Sequence, residues 1–345
     1  MKKIISLTLV FFALVGCSRG GGDIATSSQT VEQANRTREN LAEEESDTTM
    51  ENAEVKVIIP NGTPALSMVK MITETPTISE GISVTYELVE STDVLSTTLI
   101  NNDADIAIVP TNLAATLYNK GTNYKLVGTS VWGILYIATT EDISTLEDLK
   151  GKRVGAIGRD LTPDALFRYI LNGNNIDTED DLTLEYFSGA PELASNFIAG
   201  EIDTVIAPEP LLTSMLMKRK EAFVAINLQD EWEKLTGFES YPQASLIVNT
   251  SLIESNPEFV SKFINNYDES VSWVNDNPLV AGVNYEKLGI GLNTKILEPA
   301  IPNCSLDFIT ATEAKSSIQK YLKILFEFNP KLLGGVMVDE GFYFE

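Results

Sequence analysis

Short apolar runs alternate with helical patterns through most of the chain after residue 54. The run at 106–109 ends at a proline before a helix-like segment, and the same arrangement returns ninety-eight residues later at 204–207. A second pair of runs, at 57–60 and 154–157, lies upstream of each copy. This alternation predicts α/β lobes with largely parallel sheets. The repetition predicts two lobes of one architecture, whose helix N-termini face a ligand cleft.

The same pattern predicts ten strands and several long helices, and it becomes almost wholly helical after residue 248. The predicted strands are 55–59, 83–89, 106–109, 124–129, 135–139, 153–157, 182–186, 204–207, 223–227 and 245–249. The predicted helices include 65–74, 93–101, 163–171, 191–199, 210–218, 257–275 and 312–328.

Two extended segments, at 135–139 and 243–249, are predicted to cross between the lobes and to form a hinge. The first lobe is then residues 55–138 plus 245–345, including the C-terminal helices, and the second lobe is residues 139–244. The predicted fold class is α/β, with two lobes and an interlobe cleft that closes over a ligand.

The N-terminal segment resembles a bacterial lipoprotein signal. Lys2 and Lys3 precede an apolar stretch at 4–15, which is too short to span a bilayer and ends at Leu14-Val15-Gly16-Cys17. The resemblance implies removal of residues 1–16 and acylation of Cys17. An ordinary signal peptide or a short membrane anchor is the alternative. Residues 17–54 are polar and acidic and are expected to form a disordered tether.

Composition narrows the possible functions. The chain has 25 Lys and Arg against 49 Asp and Glu, a formal net charge of −24, which disfavours nucleic acid and anionic lipid surfaces as partners. It contains no histidine, which excludes Ser-His and Cys-His nucleophile pairs and the common zinc sites. If Cys17 is acylated, Cys304 has no disulfide partner and is expected to be a buried apolar residue. We therefore expect a protein that is not an enzyme, with no metal and no cofactor.

Polar residues after the predicted strands of the first lobe are candidate ligand contacts. Thr63 and, one turn on, Ser67 follow the first strand, and Thr111 and Asn112 follow the third. Helix capping is the alternative role for their short side chains. Trp132, just before the first crossing, offers a flat surface to a ring, although packing is the alternative.

The second lobe and its return crossing supply further candidates. Arg159 is the single arginine in the four predicted cleft turns and, with Thr162 at the next helix start, suits an anionic group. Glu209 occupies the place that corresponds to Thr111 and suits an amine or a ring N–H, or else stabilises its own helix start. Tyr241 is a further candidate ligand contact near the return crossing. We expect Asn112 and Glu209 to face each other across the cleft.

Several motifs resemble those of a known family of binding proteins. The run 144–152 with Val154-Gly155-Ala156 resembles the entry into the second lobe of class II periplasmic solute-binding proteins. The segments 103–107 and 200–205 resemble those before the cleft-forming strands of each lobe. The chain is most similar to the nitrate, sulfonate, taurine and thiamine-precursor branch of ABC-transporter binding proteins, over about residues 55–345.

The resemblance implies a lipid-anchored, monomeric protein on the extracytoplasmic face of the cell membrane. Its expected partners are a small organic ligand, an ABC permease and a separate ATPase subunit. Two alternatives remain open at this point, namely an enzyme of cofactor biosynthesis on the same fold and a ligand-sensing module for a membrane receptor. The identity of the ligand does not follow from the sequence.

Overall fold

The structure, a computed structural model, describes residues 53–345. The predicted signal peptide, the acylation of Cys17 and all but the end of the tether lie outside the described residues. None of the helices within residues 53–345 combines the length and the apolar character needed to cross a membrane.

Eleven strands are present in the described residues. They are β1 (Ala53–Pro60), β2 (Ile82–Val89), β3 (Ile106–Pro110), β4 (Tyr124–Val131), β5 (Leu135–Thr139), β6 (Arg153–Ile157), β7 (Thr183–Phe187), β8 (Thr204–Pro208), β9 (Phe223–Asn227), β10 (Ala244–Asn249) and β11 (Leu306–Thr310). All ten predicted strands are confirmed, with bounds shifted by no more than two residues.

Thirteen α-helices lie between and after these strands in the same part of the chain. They are α1 (Thr63–Ser67), α2 (Val69–Glu74), α3 (Thr92–Ile100), α4 (Thr111–Asn119), α5 (Thr162–Gly173), α6 (Ala190–Ala199), α7 (Leu211–Lys218), α8 (Leu228–Thr236), α9 (Thr250–Ser255), α10 (Pro257–Asp276), α11 (Pro278–Lys287), α12 (Thr294–Ala300) and α13 (Ala311–Phe328). Short 3-10 turns lie at Leu146–Leu149, Ile301–Asn303, Pro330–Leu333 and Glu340–Phe342.

The strands form two sheets with one plan. The first sheet has the order β11-β4-β10-β3-β1-β2, and the second has the order β7-β6-β8-β5-β9. In each sheet three neighbouring strands are parallel, and the next strand, β10 or β5, runs antiparallel to them. Strands β1, β2 and β3 therefore correspond to β6, β7 and β8, so the two-lobe prediction from the repeat is confirmed.

The antiparallel strand of each sheet comes from the far side of a crossing. After β4 the chain enters the second sheet as β5, and after α8 it returns to the first sheet as β10. The first crossing is therefore residues 132–134, because 135–139, predicted as the crossing segment, lies within the second sheet between β8 and β9. The lobe boundary moves from 138 to about 133 for the same reason.

Two other elements differ from the prediction. The single helix predicted at 65–74 is broken at Met68, where the backbone leaves helical geometry (φ −104°, ψ 5°) and Ser67 Oγ donates to the Pro64 carbonyl oxygen at 2.7 Å. Strand β11 was not predicted, because it is short, half-buried and lies among helices, and it pairs only with β4 at the sheet edge.

The apolar core continues from one lobe to the other. One cluster of buried side chains joins Val109 in the first lobe, Leu135 at the hinge and Phe167 and Trp232 in the second lobe. A second cluster fills the first lobe beneath α10 to α12, and a third packs α6 and α7 on the second sheet. The lobes are thus tied together on the side of α13 and α5, while their strand ends face each other on the cleft side.

Candidate functional site

The carboxyl ends of the parallel strands define the cleft. Strands β1 and β3 of the first sheet and β6 and β8 of the second sheet end toward it, as is usual for ligand sites of open parallel sheets. The lobes touch directly here, since Thr63 Oγ1 donates to the backbone oxygen of Glu209 at 3.4 Å. The Gly133 N–H donates to Ser240 Oγ at 2.8 Å, which joins the two crossing segments.

Gly133 and Tyr241 form the core of the hinge. A Cβ atom at Gly133 would lie 2.7 Å from Gln229 Cγ and 2.8 Å from Tyr241 Cε1, so only glycine fits at this crossing. Tyr241 is fully buried, and its hydroxyl donates to Gln229 Oε1 at 2.8 Å. Its ring lies between Trp232, 5.3 Å away, and Tyr321, which stacks on it at 6.2 Å. The structure therefore places Tyr241 in the hinge core, with its hydroxyl already hydrogen-bonded.

A cavity of about 70 Å³ lies at the cleft end of the second sheet. Its walls are mostly apolar side chains of β5, β6, β8 and α5, such as Ile157, Phe167 and Ile206. The polar lining residues are Asp164 and Gln243. The Gln243 Oε1 atom is buried and has no hydrogen-bond partner within residues 53–345. The cavity thus combines an apolar surface with one unused hydrogen-bonding group, as ligand sites commonly do.

The four first-lobe candidates use their polar atoms within the protein. Ser67 Oγ lies 2.7 Å from the hydroxyl of Tyr267, and Thr111 Oγ1 lies 2.8 Å from Ser245 Oγ. Asn112 Nδ2 donates to the Leu332 carbonyl oxygen at 3.3 Å. Thr63 is the first-lobe candidate that contacts the second lobe, through Glu209.

The second-lobe candidates lie at helix starts. Thr162 is buried at the first position of α5, and Arg159 is exposed, with its guanidinium 5.3 Å from the ring centroid of Tyr186. Glu209 is 3% exposed, and its carboxylate accepts from the Thr213 N–H at 3.1 Å and from Thr213 Oγ1 at 2.8 Å. Burial raises the Glu209 pKa, and the two Thr213 bonds oppose this rise. The Glu209 carboxylate is thus hydrogen-bonded to the first turn of α7, and its role toward a ligand stays a prediction.

Trp132 faces a different groove from the 70 Å³ cavity. Its Nε1 donates to the Asp307 carbonyl oxygen at 2.9 Å, and Trp132 borders a groove of about 490 Å³ whose lining shares no residue with that of the cavity. Asp230, Glu239 and Asp307 also border this groove, and burial raises the Asp307 pKa. Cys304 is fully buried, and desolvation raises the pKa of its thiol well above the ordinary value, so the thiol stays protonated.

Comparison with known proteins assigns the chain to a family. Residues 78–281, more than half of the chain, match the sequence profile described as NMT1/THI5 like. The protein belongs to the NMT1/THI5-like family. No curated protein sequence matches it significantly.

Solved structures of similar fold support the same assignment. An ABC transporter protein from Parabacteroides distasonis is 26% identical and covers 85% of this chain and 99% of its own, with a TM-score of 0.74. The periplasmic aliphatic sulphonate binding protein SsuA from Escherichia coli is 14% identical, covers 83% and 94%, and has a TM-score of 0.67. The periplasmic nitrate-binding protein NrtA from Synechocystis is 13% identical, covers 80% and 82%, and has a TM-score of 0.57. The suspected branch and the two-lobed α/β fold are confirmed.

In this member of the NMT1/THI5-like family, several polar groups that the sequence did not single out are buried near the cleft. Asn61 Oδ1 follows β1, Ser130 Oγ lies near the end of β4, and Gln243 Oε1 precedes β10, all at the cleft edge of the first sheet. The hydroxyl of Tyr321 on α13 is also buried, beside Thr162 and next to the hinge core around Tyr241. The sequence could have indicated Asn61 and Gln243 as site residues, because both lie next to predicted strands. Nothing in the sequence indicated Tyr321, because its helix α13 is distant in sequence from the cleft residues of the second lobe.

Proposed function

We propose that this protein is the solute-binding component of an ABC importer. It captures a small organic ligand between its two lobes and delivers it to a membrane permease driven by a separate ATPase subunit. We propose further that it acts without chemical turnover, as a monomer, and that the lipid on Cys17 holds it at the extracytoplasmic face of the membrane.

The observation that carries the proposal is the cleft between two sheets of one plan, joined by two crossing segments. Such a connection allows the lobes to hinge about Gly133 and Ser240 and to close on a ligand. Gln243 places an unused hydrogen-bonding atom in the cavity at the cleft. The structural neighbours include a sulphonate-binding protein, a nitrate-binding protein and an ABC transporter protein, which supports the same role.

The absence of histidine from the sequence supports binding over catalysis. One group of enzymes on this fold, which makes a pyrimidine thiamine precursor, resembles histidine-dependent chemistry, and this chain contains no histidine. The carboxylates near the cavity are held by hydrogen bonds. Asp164 accepts from the Tyr186 hydroxyl at 2.6 Å, and Glu209 accepts from Thr213. Groups held in this way suit a fixed binding surface.

Ligand-dependent closure tests the proposal. Native mass spectrometry of the purified full chain identifies a ligand that copurifies with it, and small-angle scattering with that ligand should show a decrease in the radius of gyration. Ala156→Leu, which fills the cavity, should abolish both binding and compaction. Ala199→Leu is the matched control, because Ala199 is exposed at the end of α6. Conversion of the ligand by the purified protein would overturn the proposal.

The proposed anchor is tested separately. Cys17→Ser should release the protein from the membrane fraction or leave it unprocessed, while the wild-type chain stays with the membrane. Mass spectrometry of the wild-type N-terminus should find a lipid on Cys17. A mature N-terminus elsewhere, without lipid, would remove the anchor and leave the binding role standing.

A further inference from the structure

We infer that the cleft selects an uncharged ligand that carries hydrogen-bonding groups, and that it disfavours simple anions. The inference rests on the proposed function and specifies the class of solute. It departs from the sulfonate and nitrate that name two of the structural neighbours.

A carboxylate of the chain already occupies the N-terminus of α5. Asp164 lies in the first turn of this helix, is 3% exposed and lines the cavity. Its carboxylate accepts from the Asp160 N–H at 2.9 Å, from Arg168 Nε at 2.9 Å and from the Tyr186 hydroxyl. The positive end of the helix dipole is therefore balanced inside the protein. An anionic ligand at this place would meet a buried negative charge.

The second cleft helix of this lobe has the same arrangement. Glu209 precedes α7 and accepts from the Thr213 N–H, one of the unpaired groups of the first turn. Both helix starts after the central parallel strands of the second lobe thus carry their own carboxylate. A second negative charge at either helix start would therefore lie close to a buried carboxylate.

Arg168, the partly buried cation near these helices, is already paired with carboxylates. Arg168 binds Asp164, and its Nη1 also donates to Thr178 Oγ1 at 2.7 Å and to Glu179 at 2.6 Å. Arg159 is exposed beside the Tyr186 ring, where water and salt screen its charge. The cavity lining itself includes no lysine or arginine among the described residues. An anion entering the apolar cavity would lose its hydration without gaining a counter-charge.

The unused polar groups at the cleft are neutral. Asn61 and Gln243 present carboxamide oxygens, which accept hydrogen bonds, and Gln243 lines the cavity. Each of these atoms is buried and has no partner within residues 53–345. A ligand that satisfies Gln243 carries an N–H or O–H donor, on a body apolar enough for walls such as Phe167. Small amides and neutral heterocycles have this combination.

Matched pairs of probes that differ mainly in charge test the inference. The pairs are acetamide with acetate, methanesulfonamide with methanesulfonate and benzamide with benzoate, titrated against the full chain by ligand-observed NMR. We expect the best neutral probe to bind at least tenfold more tightly than its anion. Equal or tighter binding of the anion in that pair, or no binding by any neutral probe, would overturn the inference.

Charge variants of the protein sharpen the test. Asp164→Asn keeps the shape of the side chain and frees both the α5 N-terminus and Arg168. It should tighten binding of the anionic probes by about tenfold relative to binding of their neutral counterparts. Asp203→Asn is the matched control, because Asp203 binds Arg219 at the opposite end of β8. Glu209→Gln provides a second variant should Asp164→Asn fold poorly. If tightened anion binding is absent from every folded variant, the carboxylates do not set the selectivity.

These outcomes separate the inference from the proposed function. Tight binding of an anion with compaction in small-angle scattering would overturn the charge selectivity alone. Chemical conversion of the bound solute, or binding that leaves the scattering profile unchanged, would count against the proposed function whichever probe bound.

Discussion

The two lobes share a strand plan but present different chemistry to the cleft. At the cleft edge of the first sheet, Thr111, Ser245 and Thr129 form a chain of buried hydroxyls with oxygen separations of 2.8 and 3.0 Å. The corresponding edge of the second sheet is apolar and flanked by the carboxylates Asp164 and Glu209.

Buried hydroxyls recur in the second lobe, but at the opposite end of its sheet. Thr139 and Thr204 lie 2.8 Å apart where β8 begins, and Thr204 Oγ1 donates to Glu141 at 2.9 Å. The difference shows that the shared topology fixes where a cleft forms, while individual side chains decide what charge it carries. The first lobe contributes neutral polar groups, and the second contributes an apolar wall with balanced helix ends.

The largest expected difference between the lobes is at Asp164. Asp164→Ala leaves Arg168, whose side chain is 19% exposed, without its buried partner, and should lower the free energy of unfolding by about 3 kcal/mol. Glu179→Ala is the matched control, because it removes the exposed carboxylate that binds the same guanidinium and should cost less than about 1 kcal/mol. Urea unfolding of both variants measures the difference. Equal losses would mean that burial of Asp164 carries no special weight.

The hydroxyl chain of the first lobe predicts a smaller effect. Thr111→Val removes one hydroxyl but leaves Ser245 paired with Thr129, so the unfolding free energy should fall by about 1 kcal/mol. Thr85→Val, on an exposed position of β2, is the control and should change stability by less than about 0.5 kcal/mol. If the Thr111 variant is as stable as the wild type, the hydroxyl chain does not stabilise this edge.

The smallest expected effect is a pH dependence at Glu209. Burial raises the Glu209 pKa above its ordinary value of 4.5, so the folded protein favours the protonated carboxyl. The difference in stability between the wild type and Glu209→Gln should therefore be constant below pH 4.5. As the pH rises through the raised pKa, the wild type should lose stability relative to the variant. Melting temperatures of both proteins between pH 4 and 8 measure this, with Glu221→Gln, an exposed carboxylate, as the control. If the difference in melting temperature between the wild type and Glu209→Gln does not change with pH, position 209 carries no buried charge.

Much of the fold could be predicted because its signals are local. Strand runs such as 106–109 and 204–207, followed by proline and a helix start, identify α/β units from neighbouring residues alone. Their repetition predicted two lobes, and the sheet orders confirm it. The ligand contacts remain predictions, since the same local pattern fits both capping and binding.

The sequence by itself determined ten of the eleven strands, most of the helices and the repeat, because periodicity and turn residues act over a few positions. Only the tertiary structure decided that the first crossing lies before β5, and which polar groups have no hydrogen-bond partner in the described residues. Asn112 finds its partner 220 residues away at Leu332, and Trp132 finds its partner 175 residues away at Asp307. Hydrogen bonds over such separations depend on how the lobes pack, and no local pattern encodes them.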